Sequence, residues 1–379
     1  KKYLGDNFNR MIFGHHKMDG SSSKGDHGEH PKHSRPGTMR HLLWRRMAIP
    51  FLEQRHLLID TVILGIVGAA AAQLFTLLLT ICNQLFLKDL AGYTLPDITS
   101  TGNVLLQIVG SHGLLLIPLS TTLGGLLSGL LVYTFAPEAE GHGTDTAVKA
   151  FHFQEGKIRA RIPFLKMVAS AITIGSGGAA GREGPTALIT AGIGSVYATF
   201  THRSLRERRI LLLVRMASGL AAIFRSPIGT AIFAVEVLYG GMEFEADALL
   251  YTMLGSVVAY AFNGIFSGYE PIFRVPTNLP TPGFTELPWY LLLGIAAGLI
   301  ATLIPVIFYR MRDLFAWIPL PNTVKPAIGG LFLGLLAMKL PQVLSGGYAT
   351  IQMAIDGSLS MGLMLTLSIA MILAFSFTI

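Results

Sequence analysis

Two long apolar runs, Leu57 to Phe86 and Leu114 to Phe135, constrain this chain more than any other feature. At about 1.5 Å per helical residue, each is long enough to cross a hydrocarbon core of roughly 30 Å. Inside such a medium the backbone must satisfy its own polar groups, which makes the α-helix the natural form for these runs. The rest of the composition agrees: 51% of the 379 residues are hydrophobic, only 13% are charged, and glycine is abundant at 42 residues. A water-exposed surface on a chain of this length needs far more charge than that.

Later apolar segments are shorter. Ile162 to Ile174, Thr186 to Phe200, Ile210 to Phe224 and Ile228 to Tyr239 are separated by Gly, Pro and Arg where a simple spanning bundle would continue. Short, interrupted helices are what transporters place around a buried site. The single cysteine, Cys82, lies in the first long run without a partner, which excludes disulfides and a cysteine-based metal site. The formal charge of +7 comes from basic residues spread along the chain, so it speaks for membrane orientation and against a nucleic-acid partner.

Residues 1–38 are rich in Gly, Ser, His and Lys and read as a disordered tail; the irregular spacing of His15, His16, His27, His30 and His33 gives no metal site. In residues 39–55, Arg40, Arg45 and Arg46 alternate with Leu42, Leu43, Trp44, Ile49 and Phe51, the pattern of an interfacial amphipathic helix. Its charge predicts a cytoplasmic N-terminus at a cell membrane crossed several times. Lys88 is the one basic residue between Leu87 and Gly113, expected outside, whereas Lys149, Lys157, Arg159, Arg161, Lys166, Arg203, Arg206, Arg208 and Arg209 read as basic inner loops. An apolar run from Leu249 to Phe266 precedes an outer segment, Gly268 to Pro288; Leu291 to Tyr309 then returns inward to Arg310 and Arg312. The sequence stops at Phe377-Thr378-Ile379 inside an apolar run, and the expectation is a C-terminal truncation.

The chemistry concentrates in Gly175-Ser176-Gly177-Gly178-Ala179-Ala180-Gly181-Arg182-Glu183-Gly184-Pro185, between two apolar runs. Glycine lets the backbone turn and expose N–H groups, and Pro185 suits a first helical turn. A helix start of this kind has unpaired N–H groups and about half a positive charge, which attracts an anion. Glu183 can occupy that place with its own carboxylate or yield it to a dissolved anion, which makes it a candidate gate. Simple helix capping is the plainer reading, although an ionisable residue at membrane depth is costly and is usually kept for function.

Taken with Phe224-Arg225-Ser226-Pro227 and Ile232-Phe233-Ala234-Val235-Glu236-Val237, this block resembles the CLC chloride channels and proton-coupled chloride antiporters, over roughly Phe51 to Ile379. The resemblance implies an all-α polytopic membrane protein with tilted, broken helices in an inverted repeat. The first transmembrane repeat would occupy 56–267 and an incomplete second one 268–379. It implies chloride or a similar small anion as cargo, a homodimer in the bilayer, no cofactor, and Glu183 as gate beside Gly181, Arg182, Gly184 and Pro185.

The family's first anion motif usually reads GSGIP; here the aligned residues are Gly141-His142-Gly143-Thr144-Asp145. The glycines keep backbone donation, while His142 adds a donor and a titratable imidazole, or else makes a structural loop hydrogen bond. The similar Gly110-Ser111-His112-Gly113 falls in a segment expected outside. Proton-coupled members commonly carry an internal glutamate where Val237 stands, and Glu236 is turned about 100° away on a helix. That departure favours a passive channel, with a proton-coupled antiporter as the alternative. A GxFxP helix start and a late tyrosine, the family's other anion contacts, are expected beyond Ile379.

Two other classes compete with this reading. An intramembrane serine protease would use Ser176 with His142 or His152, and leaves Glu183 unexplained. A cation transporter would line several spans with acids, yet Asp60 and Glu236 are nearly the only ones inside apolar runs.

Overall fold

The structure, a computed structural model, describes residues 36–96, 114–240, 246–275 and 283–378, with side chains from Arg55 onward. The chain divides into two compact units, 1–53 and 54–379, and of the first only helical backbone from Pro36 is described. The readings made on residues 1–35 and on Gly110 to Gly113 lie outside the described residues, as do those on the side chains of residues 36–54.

The described elements are helical. In order they are α1 (Pro36–Asn83), a wide helical turn (Gln84–Leu90), α2 (Ile117–Phe135), α3 (Thr144–Phe153), α4 (Arg161–Gly175), α5 (Glu183–Phe200) and α6 (Leu205–Phe224). There follow α7 (Pro227–Tyr239), α8 (Ala246–Ser267), α9 (Leu287–Ala316), α10 (Lys325–Ala337), α11 (Tyr348–Ile355) and α12 (Met361–Thr378). Five stretches among the described residues are long and apolar enough to span: Arg55–Leu90, Ile117–Phe135, Ala246–Ser267, Phe284–Ala316 and Met361–Thr378. The molecule is a multi-pass membrane protein built from helices of unequal length, as the sequence reading expected.

The breaks have local causes. Ser204 and Glu207 form a reciprocal capping box that starts α6, with Glu207 N donating to Ser204 Oγ at 3.3 Å and Ser204 N to the Glu207 carboxylate at 2.9 Å. At the other end Arg225 takes a left-handed conformation, and Pro227 opens α7, where its missing N–H costs nothing.

Helix α6 is apolar on nearly all sides and is buried from Ile210 to Ile223, at the centre of the bundle. One large polar group lies within it. Arg215 is wholly buried; its Nη1 donates to Leu64 O of α1 at 2.7 Å and its Nε to Thr190 O of α5 at 3.4 Å, so one side chain straps three helices together.

Helices α2 and α10 cross at backbone contact. A Cβ on Gly125 would lie 2.3 Å from Pro326 O, and one on Gly330 would lie 2.3 Å from Thr121 O. Small residues at such crossings let dispersion act between backbones where lipid gives no hydrophobic drive.

The inner-loop reading of the basic residues needs correction. Lys166 is not in a loop: it sits inside α4 and is 6% exposed, because a lysine with carbonyl acceptors close by need not reach water. Arg206, Arg208 and Arg209 belong to the first two turns of α6. Arg203 does lie in the turn before α6, where it pairs with buried Asp60 at 2.5 Å; Tyr197 Oη donates to the same carboxylate at 2.7 Å. Asp60 is therefore a tie between α1 and the α5–α6 turn.

Candidate functional site

The loop before α3 and the start of α5 meet. Gly143, with φ at +100°, turns the chain into α3, and a Cβ on Gly184 would come within 2.5 Å of His142 O. Glycine at these two positions is thus required by backbone geometry and by close approach. The consequence is that Gly141-His142-Gly143 and Gly181-Arg182-Glu183-Gly184-Pro185 converge. His142, Gly141, Gly181, Glu183, Gly184 and Pro185 share the wall of one cavity of about 210 Å³.

Lys166 lies on the same wall. Its ammonium donates to Ala139 O at 3.0 Å and to Gly141 O, pinning the loop from below α3. The imidazole of His142 packs against Phe308 of α9 and Phe375 of α12, with ring centroids 5.1 and 5.2 Å apart. In charge terms the cavity gathers an ammonium, an imidazole and the first turn of α5, whose N–H groups have no acceptor within their own helix. Acids are not far off: Glu140 is also on the wall, and Asp145 stands exposed in the first turn of α3.

Glu183 is the first residue of α5, and its carboxylate lies back against the chain just before the helix: a Cβ on Gly181 would lie 1.8 Å from Glu183 Oε2. The carboxylate also accepts from the hydroxyl of Tyr348, at the start of α11. Tyr348 and Arg182 line a second cavity, of about 460 Å³, together with Lys88, Asn83 and Gln84. The Glu183–Tyr348 contact thus joins the walls of the two cavities. Neither Lys166 nor Tyr348 stood out in the sequence, because each acts through tertiary contacts and carries no local motif.

Val237 is half-buried against the core that includes Ala234, Val235 and Leu238, and Glu236 is exposed. The serine-protease arrangement is not assembled. Ser176 is buried and its hydroxyl donates to Thr173 O at 3.0 Å, while His152 Nε2 is bonded to Leu238 O at 2.7 Å. No group of three or more His, Cys, Asp or Glu side chains fit to hold a metal occurs among the described residues.

Comparison with known proteins puts these features in one family. The family model described as voltage gated chloride channel matches residues 124–379. The H(+)/Cl(-) exchange transporter ClcA of Salmonella agona is 31% identical over 275 residues, covering 69% of this chain and 57% of that protein. A ClcB-like protein of Ralstonia nicotianae is 29% identical over 241 residues, covering 62% of this chain and 55% of the relative. The chain therefore spans little more than half the length of these curated relatives.

Among solved structures, a slow cyanobacterial Cl-/H+ antiporter superposes with a TM-score of 0.71 at 21% identity, over 85% of this chain and 73% of that one. A CLC-type fluoride/proton antiporter gives 0.69 at 20% identity, over 86% and 77%. With the glycine-rich helix starts converging on one cavity and the family model matching two thirds of the sequence, the chain belongs to the CLC family of voltage gated chloride channels.

Proposed function

We propose that the protein carrying this chain moves chloride or a similar small anion across a cell membrane, along a path through the two cavities that Glu183 gates. The observation that carries this reading is the position of the Glu183 carboxylate, against Gly181 at the start of α5 in the wall of one cavity and bonded to Tyr348 in the wall of the other. A carboxylate there competes with a dissolved anion for the same N–H groups, and its displacement opens the way. Gly141, His142 and Gly143 supply the inner anion contacts beside Lys166, and Gly181, Arg182, Gly184 and Pro185 form the start of α5 around the gate.

Proton-coupled exchange is the better supported mode. The ClcA relative is named an exchanger of H(+) and Cl(-). A passive channel rests on one observation, the apolar Val237 at the position of the internal glutamate. Homodimeric assembly, the repeat boundaries at 56–267 and 268–379, and a cytoplasmic N-terminus follow the resemblance and the charge pattern.

Chloride efflux from liposomes with simultaneous recording of external pH tests the proposal. The expected result is chloride movement accompanied by proton movement in fixed ratio. Chloride flux with no proton movement would establish the passive mode, and no anion flux at all from active, correctly folded protein would overturn the reading.

A further inference from the structure

Tyr348 is held on three sides. Its hydroxyl donates to the Glu183 carboxylate, its ring stacks on Phe273 with centroids 6.0 Å apart and planes inclined by 22°, and the Arg182 guanidinium lies 5.0 Å from the ring centroid. The backbone that delivers it is equally constrained. Ser345 and Gly347 take left-handed conformations, at φ of +60° and +69°, and Ser345 N donates to Gly177 O at 3.1 Å. The segment before α11 is thereby docked onto the glycine-rich segment that leads into Glu183.

We infer that Tyr348 is the latch of the Glu183 gate, a positioning residue whose hydroxyl holds the carboxylate across the junction of the two cavities. This rests on the gate reading above. A hydrogen bond to an ionised group is worth more than one between neutral groups, and in a part-buried site the loss of its donor is felt strongly. The stacked ring and the guanidinium fix where the hydroxyl can be, so the carboxylate leaves the junction only by breaking that bond. Arg182 then has two tasks: it precedes the helix start, and it steadies the latch by its cation–π contact.

The test is a double-mutant cycle on the protein that carries this chain, reconstituted in liposomes at one fixed pH. Tyr348→Phe keeps the ring, its stacking and its contact with Arg182, and removes only the hydroxyl. The expected result is a rise in chloride turnover of about tenfold, the factor one charge-assisted hydrogen bond carries. In a Glu183→Ala background, where the hydroxyl has no carboxylate to hold, the same substitution is expected to leave turnover within about twofold. An equal effect in both backgrounds would make Tyr348 a packing residue and overturn the latch. Unchanged or lowered turnover in the parent background would overturn it too. If Glu183→Ala itself transports like the parent, the gate reading fails, and that outcome is separate from the latch.

Discussion

His142 and Lys166 set the charge around the cavity at the start of α5, and they do so differently. The Lys166 ammonium is already committed to the carbonyls of Ala139 and Gly141, so its role is to fix the loop. His142 lies between Phe308 and Phe375 on the cavity wall, and its protonation would add attraction at close range to a bound anion. Chloride affinity is therefore expected to rise as pH falls through the titration of this imidazole, which burial holds below the ordinary value of about 6.5. His142→Ser removes the titratable group and keeps a hydroxyl donor. Chloride binding by calorimetry at two pH values checks this: the parent should show the dependence and the serine variant should lose it, whereas equal behaviour of the two would make His142 a structural loop residue. The glycines, Arg182 and Glu183 were legible as a motif because the chemistry of a helix start is local in sequence. Tyr348 was not, since its partner Glu183 lies in a distant part of the chain and a tyrosine after two glycines has no signature of its own.

Where helices meet, small residues and one buried cation decide stability. Gly125 of α2 faces the Pro326 carbonyl with no room for a side chain, so Gly125→Val forces the α2–α10 crossing apart. The expected loss is about 1–3 kcal/mol, read as a lower melting temperature of the purified protein in detergent. Arg215→Ala should cost more, about 3–5 kcal/mol, because it leaves a cavity and removes the donor from two carbonyls on different helices. An unchanged melting temperature for either variant would contradict the packing described here.

At the loop joining α2 to α3, Glu138 pairs with Arg161 at 2.9 Å and Arg159 at 3.2 Å. The Arg161 hydrogen bond holds its carboxyl below the usual carboxylate range. A lowered folded value means that the contribution is full above the ordinary pKa of about 4.3 and is lost as pH falls through the lowered one; for so exposed a pair it amounts to about 0.2–1 kcal/mol. Glu138→Gln should accordingly flatten the acid limb of stability, measured by melting between about pH 6 and pH 3. The helix breaks were readable in the sequence because Gly, Pro and Arg mark them. Lys166 was misplaced because sequence charge alone does not say whether a lysine reaches water or a ring of carbonyls.

Across the described residues, the same succession of helix lengths occurs twice, a long helix, a shorter one, one of ten residues or fewer and a longer one, as α1 to α4 and again as α9 to α12. The fold class was accessible from apolar runs and their interruptions. How the two successions meet was not, because the contact of Gly177 O with Ser345 N and of Ala179 N with Thr378 Oγ1, at 3.0 Å, joins segments with no shared pattern. Those contacts bring the later succession against the segment that leads into Glu183, where the Glu183–Tyr348 contact joins the walls of the two cavities. Chloride efflux from liposomes, measured for the parent and for Glu183→Gln over a range of pH, puts that arrangement to the proof. At saturating chloride, where the affinity set by His142 does not limit the rate, the parent's efflux is expected to vary with pH and the variant, whose neutral amide stands in for the displaced, protonated carboxylate, to lose this dependence. Equal pH dependence in both proteins would contradict it.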